Sequence, residues 1–262
     1  MTKKIVAFAN RKGGSGKTTS AVNVAAFVAR ALPADKRVLL VDIDPQGNAA
    51  HALGVDAGGR CLSQLLADPP RGLRDVIIQA GDAYKNLYLI PSSDTLQRVS
   101  QGLQVRAMQE ADFSVWLDCL NRALGEYLAL FEYVFIDCPP TLGLLDDALY
   151  KFATDVIVPV KMAYLDTTGA AMHLQNMDAH KKKGSRAKLT AVLPTFFRAR
   201  EVVQRETFKE LTRVYGRLVS RPVPQMAAME QSQAMGQRTI FDYAPTSEAA
   251  KSYQHLAERF VL

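Results

Sequence analysis

An α/β fold, with helices on both faces of a doubly wound, mostly parallel sheet, is what this sequence predicts. Three observations carry that expectation. Short unbroken apolar runs, such as Ile5–Ala9 and the Val38–Val41 core of Arg37–Asp42, have the composition of strands buried on both faces. Longer amphipathic stretches alternate with them, the pattern of strand–helix–strand units. The chain has 262 residues, 48% apolar and 22% charged, which is ordinary globular composition with length enough for a full core.

Taken in order, Ile5–Ala9 is the first strand, followed by a glycine-rich turn and a helical pattern (Val22, Ala25, Ala26, Ala29) running to about Leu32, where Pro33 stops it. Arg37–Asp42 is the second strand, broken by Asp44-Pro45-Gln46-Gly47. Leu87–Ile90, Tyr133–Asp137, Asp155–Val160 and Leu189–Leu193 read as further strands. Helices are expected over 94–108, 112–130, 142–152, 166–182 and 200–218. The Gly/Pro-rich patch from Gly54 to Gly72 reads as a surface excursion between elements. Because another strand follows it, residues 1–262 are taken as one domain.

Several classes of protein are set aside early. No apolar run approaches the ~18 residues that span a bilayer, so stable membrane insertion is not expected. The opening MTKKIVAFANRKGG lacks the features of a secretory signal. Cys61, Cys119 and Cys138 are odd in number and form no CxxC pair, which fits a reducing cytoplasm and argues against an iron–sulfur carrier. The histidines form no HExxH motif and no plausible triad.

The chemistry concentrates in Gly13-Gly14-Ser15-Gly16-Lys17-Thr18-Thr19, between a strand and a helix. Glycines let backbone N–H groups turn inward around an anion, and the helix N-terminus adds partial positive charge. Lys17 is suited to the β- and γ-phosphates and Thr18 to Mg²⁺, which makes this a P-loop. The usual first glycine of that motif falls on Arg11, and a second lysine, Lys12, precedes Gly13. Asp42, Asp44 and Asp137 lie at or just beyond strand ends, on the carboxyl edge where open α/β sheets hold their ligands.

These residues resemble those of the ParA/MinD ATPases, whose deviant Walker A motif is matched by Lys12–Thr19. Val41–Asn48 (VDIDPQGN) resembles the second motif of the Soj/ParA branch, and Phe135–Pro140 its Walker B. The likeness continues through Leu142–Leu145 and Val158–Val160 to the tail Ala249–Phe260. It implies a slow, Mg²⁺-dependent ATPase that dimerises around ATP, with Lys12 reaching across to the partner's phosphates and Asp44 positioning the attacking water. Thr18, Asp42 and Asp137 would serve the magnesium. Pro224 would stand by the adenine, although Arg221–Met226 (RPVPQM) has no arginine after Pro224 as the family usually does. The expected partners are a second copy of the chain, non-specific DNA of the nucleoid, and a ParB-like or other adaptor. Cargo could be a plasmid, a chromosome region, a carboxysome or a chemoreceptor cluster. A MinD-like ATPase on a membrane surface is the alternative. With Lys12 so near the start, no DNA-reading helix-turn-helix is expected ahead of the loop.

Charge supports the DNA reading. The formal net charge is +6, but Lys181–Arg221 alone holds twelve Lys/Arg and three Glu, leaving the remainder at −3. A helix predicted from Ala199 to Leu218 would align Arg205, Lys209, Arg213 and Arg217 four residues apart, flanked by Arg198, Arg200 and Arg221. Glu201, Glu206 and Glu210 are near enough to pair with some of them, which would make a merely solvated face.

Overall fold

A computed structural model describes residues 4–67, 70–140, 145–162, 177, 180–181, 185–234 and 239–261. Its sheet has seven strands: β1 (Lys4–Phe8), β2 (Val38–Asp42), β3 (Ile78–Gln79), β4 (Leu87–Ile90), β5 (Tyr133–Asp137), β6 (Asp155–Lys161) and β7 (Lys188–Thr195). They lie in the order β3-β4-β2-β5-β1-β6-β7. All neighbours run parallel except β3, which pairs antiparallel with β4.

Strand pleating explains the core. Successive residues point to opposite faces, so Ile5, Ala7, Leu39 and Val41 enter one apolar cluster while Val6, Phe8, Val38 and Leu40 enter the other. Each fully buried side chain of this size contributes about 1.5–3 kcal/mol. The second cluster is closed by helix α1 (Lys17–Ala31) and by the C-terminal helix Glu248–Val261. That last helix buries Ala249, Tyr253, Leu256, Ala257 and Phe260, and the Tyr133 hydroxyl donates to the Phe260 carbonyl at 2.5 Å. Its apolar face is therefore spent on the protein itself. Among the described residues no helix is long and apolar enough to cross a membrane.

The register brings three strand ends level. Phe8 of β1 stands opposite Asp137 of β5, and Asp137 opposite Asp42 of β2. Two carboxylates are thus set side by side where β1 leaves the sheet.

Several elements differ from expectation. The stretch 112–130 is broken into helices Ser114–Leu117 and Cys119–Leu124 and a 3₁₀ segment, Gly125–Leu130. The excursion between Gly54 and Gly72 holds a short helix, Ser63–Leu66, because Leu62, Leu65 and Leu66 have a core to enter. Strand β3 was too short to register as a pattern. Residues 227–234 form a helix beyond those expected, in keeping with their Ala, Met and Gln content. The basic helix spans Val202–Tyr215 rather than Ala199–Leu218: Gly216 takes φ +53°, and 3₁₀ turns replace the last residues. Helix 142–152 is seen as Asp146–Phe152, and most of the expected helix 166–182 lies outside the described residues.

Candidate nucleotide site

The loop after β1 is held from below. Asn10, buried, donates from Nδ2 to the Pro159 carbonyl at 2.6 Å and accepts the Lys12 N–H at 3.0 Å. The Thr195 hydroxyl donates to the Ser15 carbonyl at 2.9 Å, so β6 and β7 both brace the turn. Gly14 and Gly16 sit at φ +66° and +84°, where a side chain would be strained, and Gly16 caps the start of α1. A Cβ at Gly14 would meet nothing within 4 Å, so the loop's concave side is open. Asn10 and Thr195 are site residues that motif reading missed; a polar residue ending an apolar strand was their only trace.

Lys17 and Lys12 are treated differently by the fold. Lys17 is buried, with Nζ donating to the Lys12 carbonyl at 3.1 Å. Desolvation lowers its pKa, while Asp137, Cys138 and Asp44 work the other way. Lys12 is exposed on the same loop.

The carboxylates also divide. Asp42 accepts the Asp44 N–H on one oxygen at 2.8 Å and the Ala49 N–H on the other at 3.1 Å. It is a brace for the following loop, with burial pushing its pKa up to about 7 despite those bonds. Asp137 is fully buried and neither of its oxygens has a hydrogen-bond partner of good geometry. Burial and then the charge of Asp42 raise its pKa well above the usual carboxylate range, opposed chiefly by the Thr18 hydroxyl. A buried, unpartnered carboxylate costs free energy unless something arrives to pair with it. Ser15 Oγ is likewise buried without a partner. Asp44 is buried, with Oδ1 accepting the Gln46 N–H at 3.0 Å.

These unsatisfied groups fit a magnesium nucleotide: the glycine turn and Lys17 are joined in one place with Thr18 and the unpartnered Asp137. Among the described residues no three His, Cys, Asp or Glu side chains are grouped as a metal cluster. Beside Gly16 and Thr19 opens a small, mainly apolar cleft walled by Phe196, Pro224, Met229 and Tyr253. Pro224 is thereby brought to the loop, held by the Gln225 N–H on the Phe197 carbonyl at 3.0 Å.

Comparison with known proteins decides the family. Residues 3–191 match the family model described as an AAA domain. The chromosome-partitioning ATPase Soj of Thermus thermophilus is 32% identical, with 97% of this chain and 93% of that protein aligned. The chain is a ParA/MinD-type ATPase of that family. Its fold is that of other members: cobyrinic acid a,c-diamide synthase from Mycobacterium smegmatis, solved with a bound ATP analogue and magnesium, is 26% identical with a TM-score of 0.78, covering 98% of this chain and 93% of that one. The ATP complex of a Cyanothece McdA variant superposes with a TM-score of 0.83 at 19% identity, covering 99% and 96%.

This ATPase also presents its basic residues in a particular way. Lys209 pairs with Glu206 at 2.8 Å, Arg213 with Glu210 at 2.5 Å, and Arg198 with Glu201 at 2.7 Å. Arg221 pairs with Glu248 at the start of the C-terminal helix. Arg205 donates to the Ala199 carbonyl at 3.1 Å. Arg200 is exposed beside it, and Arg217 lies beyond the helix end, in the 3₁₀ turn.

Proposed function

We propose that ATP with Mg²⁺ converts this chain into a symmetric sandwich dimer that binds nucleoid DNA without reading sequence. An adaptor, ParB-like or otherwise, couples that dimer to its cargo. Hydrolysis to ADP and phosphate is slow and releases both. The setting is the cytoplasm, over the nucleoid.

The carrying observation is the split between the two loop lysines. Lys17 is buried and bonded to its own loop, as a cis phosphate ligand must be, whereas the Lys12 side chain is exposed. A second cation supplied from a partner acts like an arginine finger, neutralising charge that builds on the transferring group. Lys17 and the Gly13–Gly16 N–H groups hold the β- and γ-phosphates. Thr18 and Asp137 hold the magnesium, and Asp42 serves them by bracing Asp44. Bound magnesium supplies charge neutralisation at the phosphate oxygens. Asp44 orients the attacking water, and Pro224 borders the base.

DNA contact through Arg198, Arg200, Arg205, Lys209, Arg213, Arg217 and Arg221 is supported by the local charge excess. Two copies joined by ATP would bind far more tightly than one. The membrane-surface alternative is disfavoured, because a helix whose apolar face already covers α1 would have to abandon it.

Sedimentation in ATP and in ADP tests the dimer. Asp44→Ala should accumulate ATP-bound dimers that do not turn over, and Lys12→Ala should bind ATP yet stay monomeric. Equal monomer populations of the Asp44 variant in both nucleotides would overturn the sandwich.

A further inference from the structure

Helix Thr95–Gln109, helix Ser63–Leu66 and the pair Ser114–Leu124 enclose a groove of about 270 Å³ on the molecule's flank, away from the phosphate loop. Its floor is apolar, made by Leu66, Leu103, Val115 and Ala123. Its rim is cationic: Arg71, Arg106 and Arg122 stand over it against one carboxylate, Glu126. The Arg106 guanidinium pairs with Glu110, which is not part of the groove, and Arg122 donates to the Ser114 hydroxyl at 3.0 Å. No carboxylate among the described residues pairs with Arg71. Beyond Arg71 the basic surface continues into an open cup with Arg60 and Arg74, facing Asp75.

The turn bordering the groove is built against local preference. Ala111 takes φ +50°, a left-handed conformation that costs a non-glycine residue, and the Asp112 N–H closes onto the Ala107 carbonyl at 3.0 Å. That turn leaves Met108 and Phe113 more than half exposed, 68% and 56%. Strain that presents apolar side chains to solvent suits a contact surface.

We propose that this groove docks an acidic amphipathic segment of a partner protein. A helix with apolar residues at i, i+3 and i+4 would fill the leucine-lined floor, and Asp or Glu beside them would meet the guanidiniums, which favour planar bidentate carboxylates. Nucleic acid fits less well, since a phosphate backbone offers nothing to fill an apolar floor that includes Leu103. None of the residues that line the groove belongs to the phosphate loop or to the helix Val202–Tyr215.

The test is a displayed library of random peptides of ~16 residues, selected on the full-length protein and scored on Arg71→Glu/Arg122→Glu. Enriched peptides should carry acidic and apolar residues at helical spacing. A synthetic one should lose at least about tenfold in affinity on the double variant by fluorescence anisotropy. ATP binding should be unchanged in both proteins, which separates failure here from failure of the nucleotide site. Arg71→Gln/Arg122→Gln, a milder change, should show the same loss in case the glutamates disturb folding. The idea is overturned if no peptide is enriched, if the enriched set lacks acids, or if binding survives both variants. It is also overturned if the variants weaken a short DNA duplex and leave the peptides alone.

Discussion

The phosphate loop and the helix Val202–Tyr215 both carry cations suited to anions, and they are built on opposite plans. Lys17 is one charge, 6% exposed, bonded to its own loop and near Asp137, whose oxygens lack hydrogen-bond partners of good geometry. Lys209 and Arg213 have side chains 70% and 74% exposed, each already joined to a glutamate three residues earlier. The loop is selective because its groups are fixed and unsatisfied before the ligand comes. The helix must first release its glutamates, in water and salt that screen every contact. Counting basic residues therefore overstates the helix and understates the loop.

The largest effect should come from the loop. Lys17→Ala should abolish ATP binding in a titration, and retention of wild-type affinity would show that the phosphates lie elsewhere. Next comes Asp137. An acid whose folded pKa is raised holds protons that the unfolded chain has released, so stability falls as pH climbs from the ordinary carboxylate value near ~4 toward the folded value. For Asp42 that window closes at about 7; Asp137 moves in the same direction. Asp137→Asn should therefore stabilise the nucleotide-free protein at pH 8 by on the order of 1–3 kcal/mol, a shift of several degrees in melting temperature. The gain should shrink toward pH 4, and stabilisation by ATP with magnesium should be lost in the same variant. A flat difference across pH would mean that the carboxylate is paired after all.

The smallest effect sharpens the comparison most. If the helix meets DNA, Glu206→Gln/Glu210→Gln should free Lys209 and Arg213 and steepen the log affinity–log salt slope by up to roughly 0.9 per cation. Arg205→Ala/Arg213→Ala should flatten it by a similar amount. No change in either variant would move the DNA contact off this helix.

The contrast also marks what could be read from the chain. Six of the seven strands were legible as apolar runs, because a strand buried on both faces has nowhere to hide polar residues. Strand β3, two residues long and antiparallel, had no such signal. Lys17 and Thr18 stood out by their spacing between a strand and a helix, and Asp137 as an acid that ends an apolar strand. Asp42 was visible as an acid but not as a brace, since its partners are backbone N–H groups that carry no sequence mark. The same holds for the glutamates of the basic helix: a spacing of three permits pairing, and only the side-chain geometry shows that it happens. The groove could not be foreseen, because it is assembled from separate segments that meet only in the fold.

Gly47 has a consequence of a mechanical kind. It follows the Asp44 turn at φ +64°, and a Cβ there would lie 2.6 Å from the Ser92 carbonyl oxygen. The two loops that leave β2 and β4 are thus seated against each other with no clearance. The Ser92 loop is in turn stitched to the segment ahead of helix Ser63–Leu66: the Pro91 carbonyl accepts the Leu62 N–H at 2.8 Å, and the Ser93 hydroxyl donates to Cys61 Sγ at 3.2 Å. From Asp44 through Gly47 and Ser92 to Cys61 the chain is thus one closely packed run, which joins the turn after β2 to the segment ahead of helix Ser63–Leu66.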